Sequence, residues 1–187
     1  WREARVWLAQ DLRLHGTYQD VLGCFPSDVS PKAIPNEAER YFWLSLRAQI
    51  KLTTSQWQEA LADYSELAKM RKFSDFDSAI SLCYANLKNW KEAKAYSDSA
   101  LLANPYDPRA RFVQAEVMIQ QGRREEALSV LQKVCQDCPA IQGAWLKWAV
   151  TLANLGRSEE AKKVLLDYLV FNPEDKQIRG LLQQFEN

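Results

Sequence analysis

The sequence predicts an all-α chain: a solenoid of antiparallel helix pairs stacked side by side, finished by a C-terminal capping helix. Three observations predict it. The stretches "GRREEALSVLQKVCQDCP" (122–139) and "GRSEEAKKVLLDYLVFNP" (156–173) place Gly, Ala and Pro at the same offsets. These marks recur at one constant interval, from Gly122 to Gly156, from Ala127 to Ala161, and from Pro105 to Pro139 to Pro173. Between the marks, apolar residues fall three and four apart, the period of a helix face.

Residues 1–27 read as a degenerate helical repeat. "HGTYQDVLGCF" carries Val21 where later copies have Ala, and Gly23 and Pro26 truncate its second helix. Residues 28–37 form a Pro-rich connection; a boundary between two sub-arrays is the alternative. Helix restarts at Asn36, with Glu39 three positions on, a capping-box-like signal. Four units then follow, at about 38–73, 74–107, 108–141 and 142–173. The first has Ala60 in the small slot, one position short of a full interval before Ala93. It departs twice from the pattern, with Lys51 at a usually apolar position and "KMRKF" where a Pro closes the other units. In the next unit Ala93, Tyr96, Ser97, Ala100 and Leu101 make one stripe. "NPYDPRARF" then opens a new first helix, with Asp107 as N-cap and Pro108 at the first helical position. The following second helix repeats the stripe as Ala127, Val130, Leu131, Val134 and Cys135. The last unit shows both stripes: Trp145, Trp148, Ala149 and Leu152, then Ala161, Val164, Leu165, Tyr168 and Leu169. Gly122 and Gly156 sit where one helix must stop and reverse. Residues 174–187 carry Ile178, Leu181, Leu182 and Phe185 on one stripe and cover the end of the stack.

This pattern resembles the tetratricopeptide repeat, whose period is 34 with aromatic, small and Pro positions in fixed slots. "AWLKWAVTLANLGRSEEAKKVLLDYLVFNP" carries the resemblance best, and about five units cover nearly the whole chain. The resemblance implies a right-handed superhelix whose first helices line a concave groove for a peptide segment or helix of a partner. Carried over slot by slot, it implies Phe42, Ser45 and Gln49 from the second unit. The third contributes Ser78, Leu82 and Asn86, and the fourth Arg109, Phe112, Glu116 and Gln120. Leu146, Val150 and Asn154 come from the fifth. Amides there suit a peptide backbone and apolar residues its side chains, although each could instead pack on the neighbouring first helix. The resemblance does not extend to the carboxylate-clamp co-chaperones: of their slots, here Ser45, Gln49, Leu46, Leu146 and Lys147, only Lys147 fits.

The chain has 187 residues, 24 Lys plus Arg and 24 Asp plus Glu. Without a basic excess, nucleic acid is not an expected partner. No apolar run approaches the roughly 20 residues that span a bilayer, so membrane insertion is not expected. Cys135 and Cys138 form a Cys-x-x-Cys, but at the C-terminal end of a helix, where the dipole does not favour a thiolate. A zinc site would need further ligands, and His15, the one His, reads as a turn residue. The pair reads as structural, with a local disulfide left open in an oxidising compartment. Neither a phosphate loop nor a hydrolase motif is present, so no catalytic residue, cofactor or metal is expected. "RREEA" and "RSEEA" read as solvated helix faces. Trp57 and Trp90 share one slot with Tyr18 and read as core packing. Trp1, Trp7 and Trp43 fit less well and could form a partner-facing patch.

Together these readings predict a non-catalytic protein–protein interaction scaffold within a larger protein or assembly. The chain begins at Trp1 without a Met, which reads as a processed chain or a piece of a longer one. The alternatives are a homo-oligomerising scaffold, or the regulatory or carrier region of an enzyme whose catalytic domain lies elsewhere. Binding of glycan or lipid by exposed aromatics ranks last. Composition leaves the compartment open, with a soluble cytoplasmic chain favoured over a periplasmic or extracellular one.

Overall fold

The structure, a computed structural model, describes residues 34, 36–70 and 74–184. The first unit with His15, Tyr18 and Val21, the residues Trp1 and Trp7, most of the Pro-rich connection, residues 71–73 and Phe185 lie outside the described residues. Among the described residues there are nine helices and no strand: α1 (Glu37–Thr53), α2 (Trp57–Met70), α3 (Ser74–Asn86), α4 (Trp90–Ala103), α5 (Pro108–Gln120), α6 (Arg124–Asp137), α7 (Gln142–Asn154), α8 (Ser158–Phe171) and α9 (Lys176–Gln184).

Local sequence sets the helix ends. Asn36 caps α1, its side chain accepting from the N–H groups of Ala38 at 2.9 Å and Glu39 at 3.3 Å. Asp107 caps α5 by accepting from Ala110 N–H at 2.8 Å, and Pro108 occupies the first helical position. Asp175 does the same for α9. Within each pair one reversal recurs. The N–H groups of Gln56, Asn89, Arg123 and Arg157 donate back to the carbonyls of Lys51, Tyr84, Met118 and Leu152 at 2.8, 2.9, 2.9 and 3.0 Å. This is a Schellman closure, and it requires a left-handed residue just before the donor. That residue is Ser55, Lys88, Gly122 or Gly156, with φ of 62°, 63°, 80° and 77°. Two glycines were expected there; the other two units use ordinary residues.

Each helix packs antiparallel on the next, and α3 also lies along α5, with a lighter contact between α5 and α7. Ala60, Ala93, Ala127 and Ala161 are fully buried, where the crossing helices leave room for no larger side chain. The capping helix α9 starts at Lys176, one full repeat interval after α7 starts at Gln142, and so sits in the register of a first helix.

Among the described residues the core has three parts. Leu44, Ala48, Leu52, Tyr64, Leu67, Phe76 and Ile80 unite α1 to α3. A larger cluster, with Leu131, Trp145, Leu165, Tyr168 and Ile178, unites α5 to α9. Between them lies a thin seam of Ala85, Ala93, Val113 and Val117. Leu82 packs against all three. Lys51, the misfit of the sequence, has an explanation: Asp63, 5% exposed, is gripped by Arg47 at 2.6 and 2.8 Å and by Lys51 at 3.0 Å. An ionic cluster takes the place of an aromatic between α1 and α2.

Candidate functional site

Helices α3, α5 and α7 present residues from successive turns to one open cleft of about 800 Å³. Leu82 and Asn86 come from α3; Arg109, Phe112 and Glu116 from α5; Leu146, Lys147 and Val150 from α7. The same cleft is bordered by Asp107, Cys138 and Ile141 from the connections and by Trp57 at the start of α2. Its lining is mainly apolar. Phe112 is 8% exposed and fixed by its own packing, whereas Val150 is 53% exposed.

The polar groups divide by how far their needs are already met. Glu116, 8% exposed, pairs with Lys147 Nζ at 2.7 Å, and this ion pair ties α5 to α7. Asp107 accepts from the Ser78 hydroxyl at 2.9 Å as well as from Ala110 N–H. Asn86 donates through its amide to Leu82 O at 2.9 Å, which leaves the amide oxygen as an acceptor. Arg109 has no carboxylate within pairing distance among the described residues. Its charge reaches Tyr64 and Cys83. Burial pushes both up to about 12, and Arg109 opposes the shift.

Of the thirteen residues named from the sequence, Leu82, Asn86, Arg109, Phe112, Glu116, Leu146 and Val150 meet at this cleft. The other six do not. Ser78 is fully buried and is a packing residue of the α3–α5 contact, locked to Asp107. Ser45 closes on its own helix, donating to Tyr41 O at 2.7 Å, and Gln49 accepts from the Tyr64 hydroxyl at 3.2 Å. Phe42 lies with them on α1, away from the cleft, because α1 does not pack along α3 as α3 packs along α5. Gln120 and Asn154 are exposed at the last residues of α5 and α7.

Seven residues at the cleft were not in the predicted set: Trp57, Asp107, Pro108, Cys138, Ile141, Gly143 and Lys147. Trp57 and Trp90 are partly buried and pack against the core clusters, as their shared slot predicts, and Trp57 also reaches the cleft. Lys147 was noted only as a lone clamp residue. Its partner Glu116 lies earlier in the chain by one repeat less one helical turn, a spacing that could have revealed the pair. Cys83, Cys135 and Cys138 are free thiols, and burial pushes Cys135 up to about 12. Among the described residues no group of His, Cys, Asp and Glu could hold a metal ion. No helix there is long and apolar enough to cross a membrane.

The comparisons with known proteins agree with this architecture. A family model described as tetratricopeptide repeat matches residues 84–142 and again 118–185. A thermophilic protein of that repeat type from Thermus thermophilus superposes with a TM-score of 0.74 at 18% identity, covering 99% of this chain and 98% of its own. A tetratricopeptide repeat protein from Parabacteroides merdae ATCC 43184 gives 0.67 at 16% identity, over 100% and 84%. YrrB, a repeat protein with an unusual peptide-binding site, gives 0.57 at 18% identity, over 96% and 90%. No curated protein sequence matches the chain. At these identities the structural likeness speaks for the fold.

Proposed function

Because the chain belongs to the tetratricopeptide repeat family, we propose that it is a non-catalytic scaffold that holds a peptide segment or helix of a partner protein in the cleft between α3, α5 and α7. The observation that carries the reading is the lining of that cleft. Apolar side chains from three successive first helices form a continuous floor, with unspent polar groups beside them. Such a surface suits an extended chain: the floor takes alternate side chains while amides and cations take backbone and polar groups. The mechanism is complementarity without bond chemistry: burial holds the Cys83 thiol protonated, and Glu116 is paired with Lys147. That YrrB has a peptide-binding site on the same fold is in keeping with this role.

The test is photo-crosslinking in the native cells from a benzophenone side chain at Val150, with Lys133 on α6 as the outer-face control. Adducts formed from Val150, not from Lys133, and lost in Leu146→Glu are expected. Equal adducts from both positions would sink the proposal.

A further inference from the structure

The ionic groups of the cleft are not balanced in what they still need. Asp107 is held at the N-terminus of α5, where the helix dipole favours its charge. Glu116 and Lys147 satisfy each other at 2.7 Å. Arg109, unlike these three, makes neither an ion pair nor a side-chain hydrogen bond among the described residues. Its neighbours Tyr64 and Cys83 are held neutral by burial and offer it no opposite charge. The imbalance extends along this side of the stack. The first helices α1, α3, α5, α7 and α9 together carry eight Lys or Arg and five carboxylates, although α3 itself has only Asp75 and Asp77, whereas the second helices α2, α4, α6 and α8 carry seven Lys or Arg and eleven carboxylates. The chain as a whole is neutral, yet its first helices carry a cationic excess and its second helices an acidic one.

We propose that the cleft takes an acidic segment of a partner protein, with a carboxylate side chain paired to Arg109 and an adjacent apolar side chain resting on Leu82, Phe112 and Leu146. This rests on the cleft being the binding surface, and adds the chemistry of its occupant. A guanidinium presents paired N–H donors that match a carboxylate, and partial burial strengthens the pairing. The potential of the first helices draws an acidic chain toward this side, and that of the second helices repels it.

The probe is a library of random dodecapeptides displayed on phage and selected against the whole chain. Selections against Arg109→Glu and against Val150→Glu, which obstructs the exposed floor, run in parallel. Circular dichroism verifies that each variant is folded. The wild type is expected to enrich Asp or Glu beside an apolar residue, and Arg109→Glu to exchange these for Lys or Arg. The consensus peptide, made synthetically, should lose about tenfold in affinity on Arg109→Ala and weaken as salt is raised. Peptides that need the floor but show no acidic preference, or a preference unchanged by Arg109→Glu, would overturn this inference and leave the cleft as the binding surface. Recovery of no peptide sensitive to Val150→Glu would remove both. Sedimentation showing a dimer dissolved by Val150→Glu would make a second copy the occupant and overturn the acidic segment.

Discussion

The four reversals at 55, 88, 122 and 156 share one hydrogen-bond pattern and differ in the residue that must turn left-handed, so substitutions there should have ordered effects. A side chain in that conformation costs roughly 1–2 kcal/mol relative to its preferred region. Glycine avoids the cost but surrenders about 0.4–1 kcal/mol through the freer unfolded chain. Ser55→Gly should therefore stabilise by about 1 kcal/mol, because Ser55 is exposed and its hydroxyl makes no hydrogen bond among the described residues. Lys88→Gly gains the same backbone relief but gives up the Nζ contact over the Trp90 ring, 5.3 Å from its centroid. That contact is worth about 0.5–1 kcal/mol at an exposed site, so the net gain is smaller. In Gly122→Ala and Gly156→Ala the new Cβ meets no atom within 4 Å. The loss is then backbone alone, about 1 kcal/mol and nearly equal at the two sites. Urea titration followed by circular dichroism reads each change as a shift of midpoint, at constant slope, in the step that melts the turn concerned. A change of about 1 kcal/mol should move the melting temperature by about 2–4 °C. A neutral Gly156→Ala, or a destabilising Ser55→Gly, would refute the claim that these turns are held by backbone conformation.

Two further outcomes follow from the polar contacts. Lys147→Ala leaves the buried Glu116 carboxylate unpaired and should cost about 1–3 kcal/mol, most of it recovered by adding Glu116→Gln; a double-mutant cycle in urea measures this. Asp175 is held below the usual carboxylate range first by the Ile178 N–H, then by Tyr168, Gln177 and Gln142, against the opposing effect of burial. Its contribution is therefore complete above the ordinary value near about pH 4 and disappears as pH falls through the lowered folded value. Asp175→Asn should lower the melting temperature at neutral pH, with the difference closing in acid.

Much of the fold was legible because a repeat of this kind writes its contacts locally. Ala93, Ala127 and Ala161 recur at a crossing that admits only a small side chain, and Asp107–Pro108 announces a helix start in two adjacent positions. The cleft was legible by half. Phe112 and Leu146 follow from the register of the first helices, but Ser78 and Gln49 share that register and are consumed by contacts inside the stack. Whether a polar side chain at a given slot is spent or free depends on a partner roughly one repeat away, as with Ser78 and Asp107, and the period alone does not encode it. Lys51 misled for the same reason, since its counter-charge Asp63 lies on the other helix of its pair.

The seam of Ala85, Ala93, Val113 and Val117 separates two larger cores, and Leu82 touches all three while also facing the cleft. In a quasi-linear stack cooperativity is limited by the weakest junction, so the α1–α3 and α5–α9 blocks can melt as distinct steps when the cleft is vacant. A guest lying across Leu82 would splint the junction, merging the two steps into one and making occupancy readable as the sharpness of unfolding.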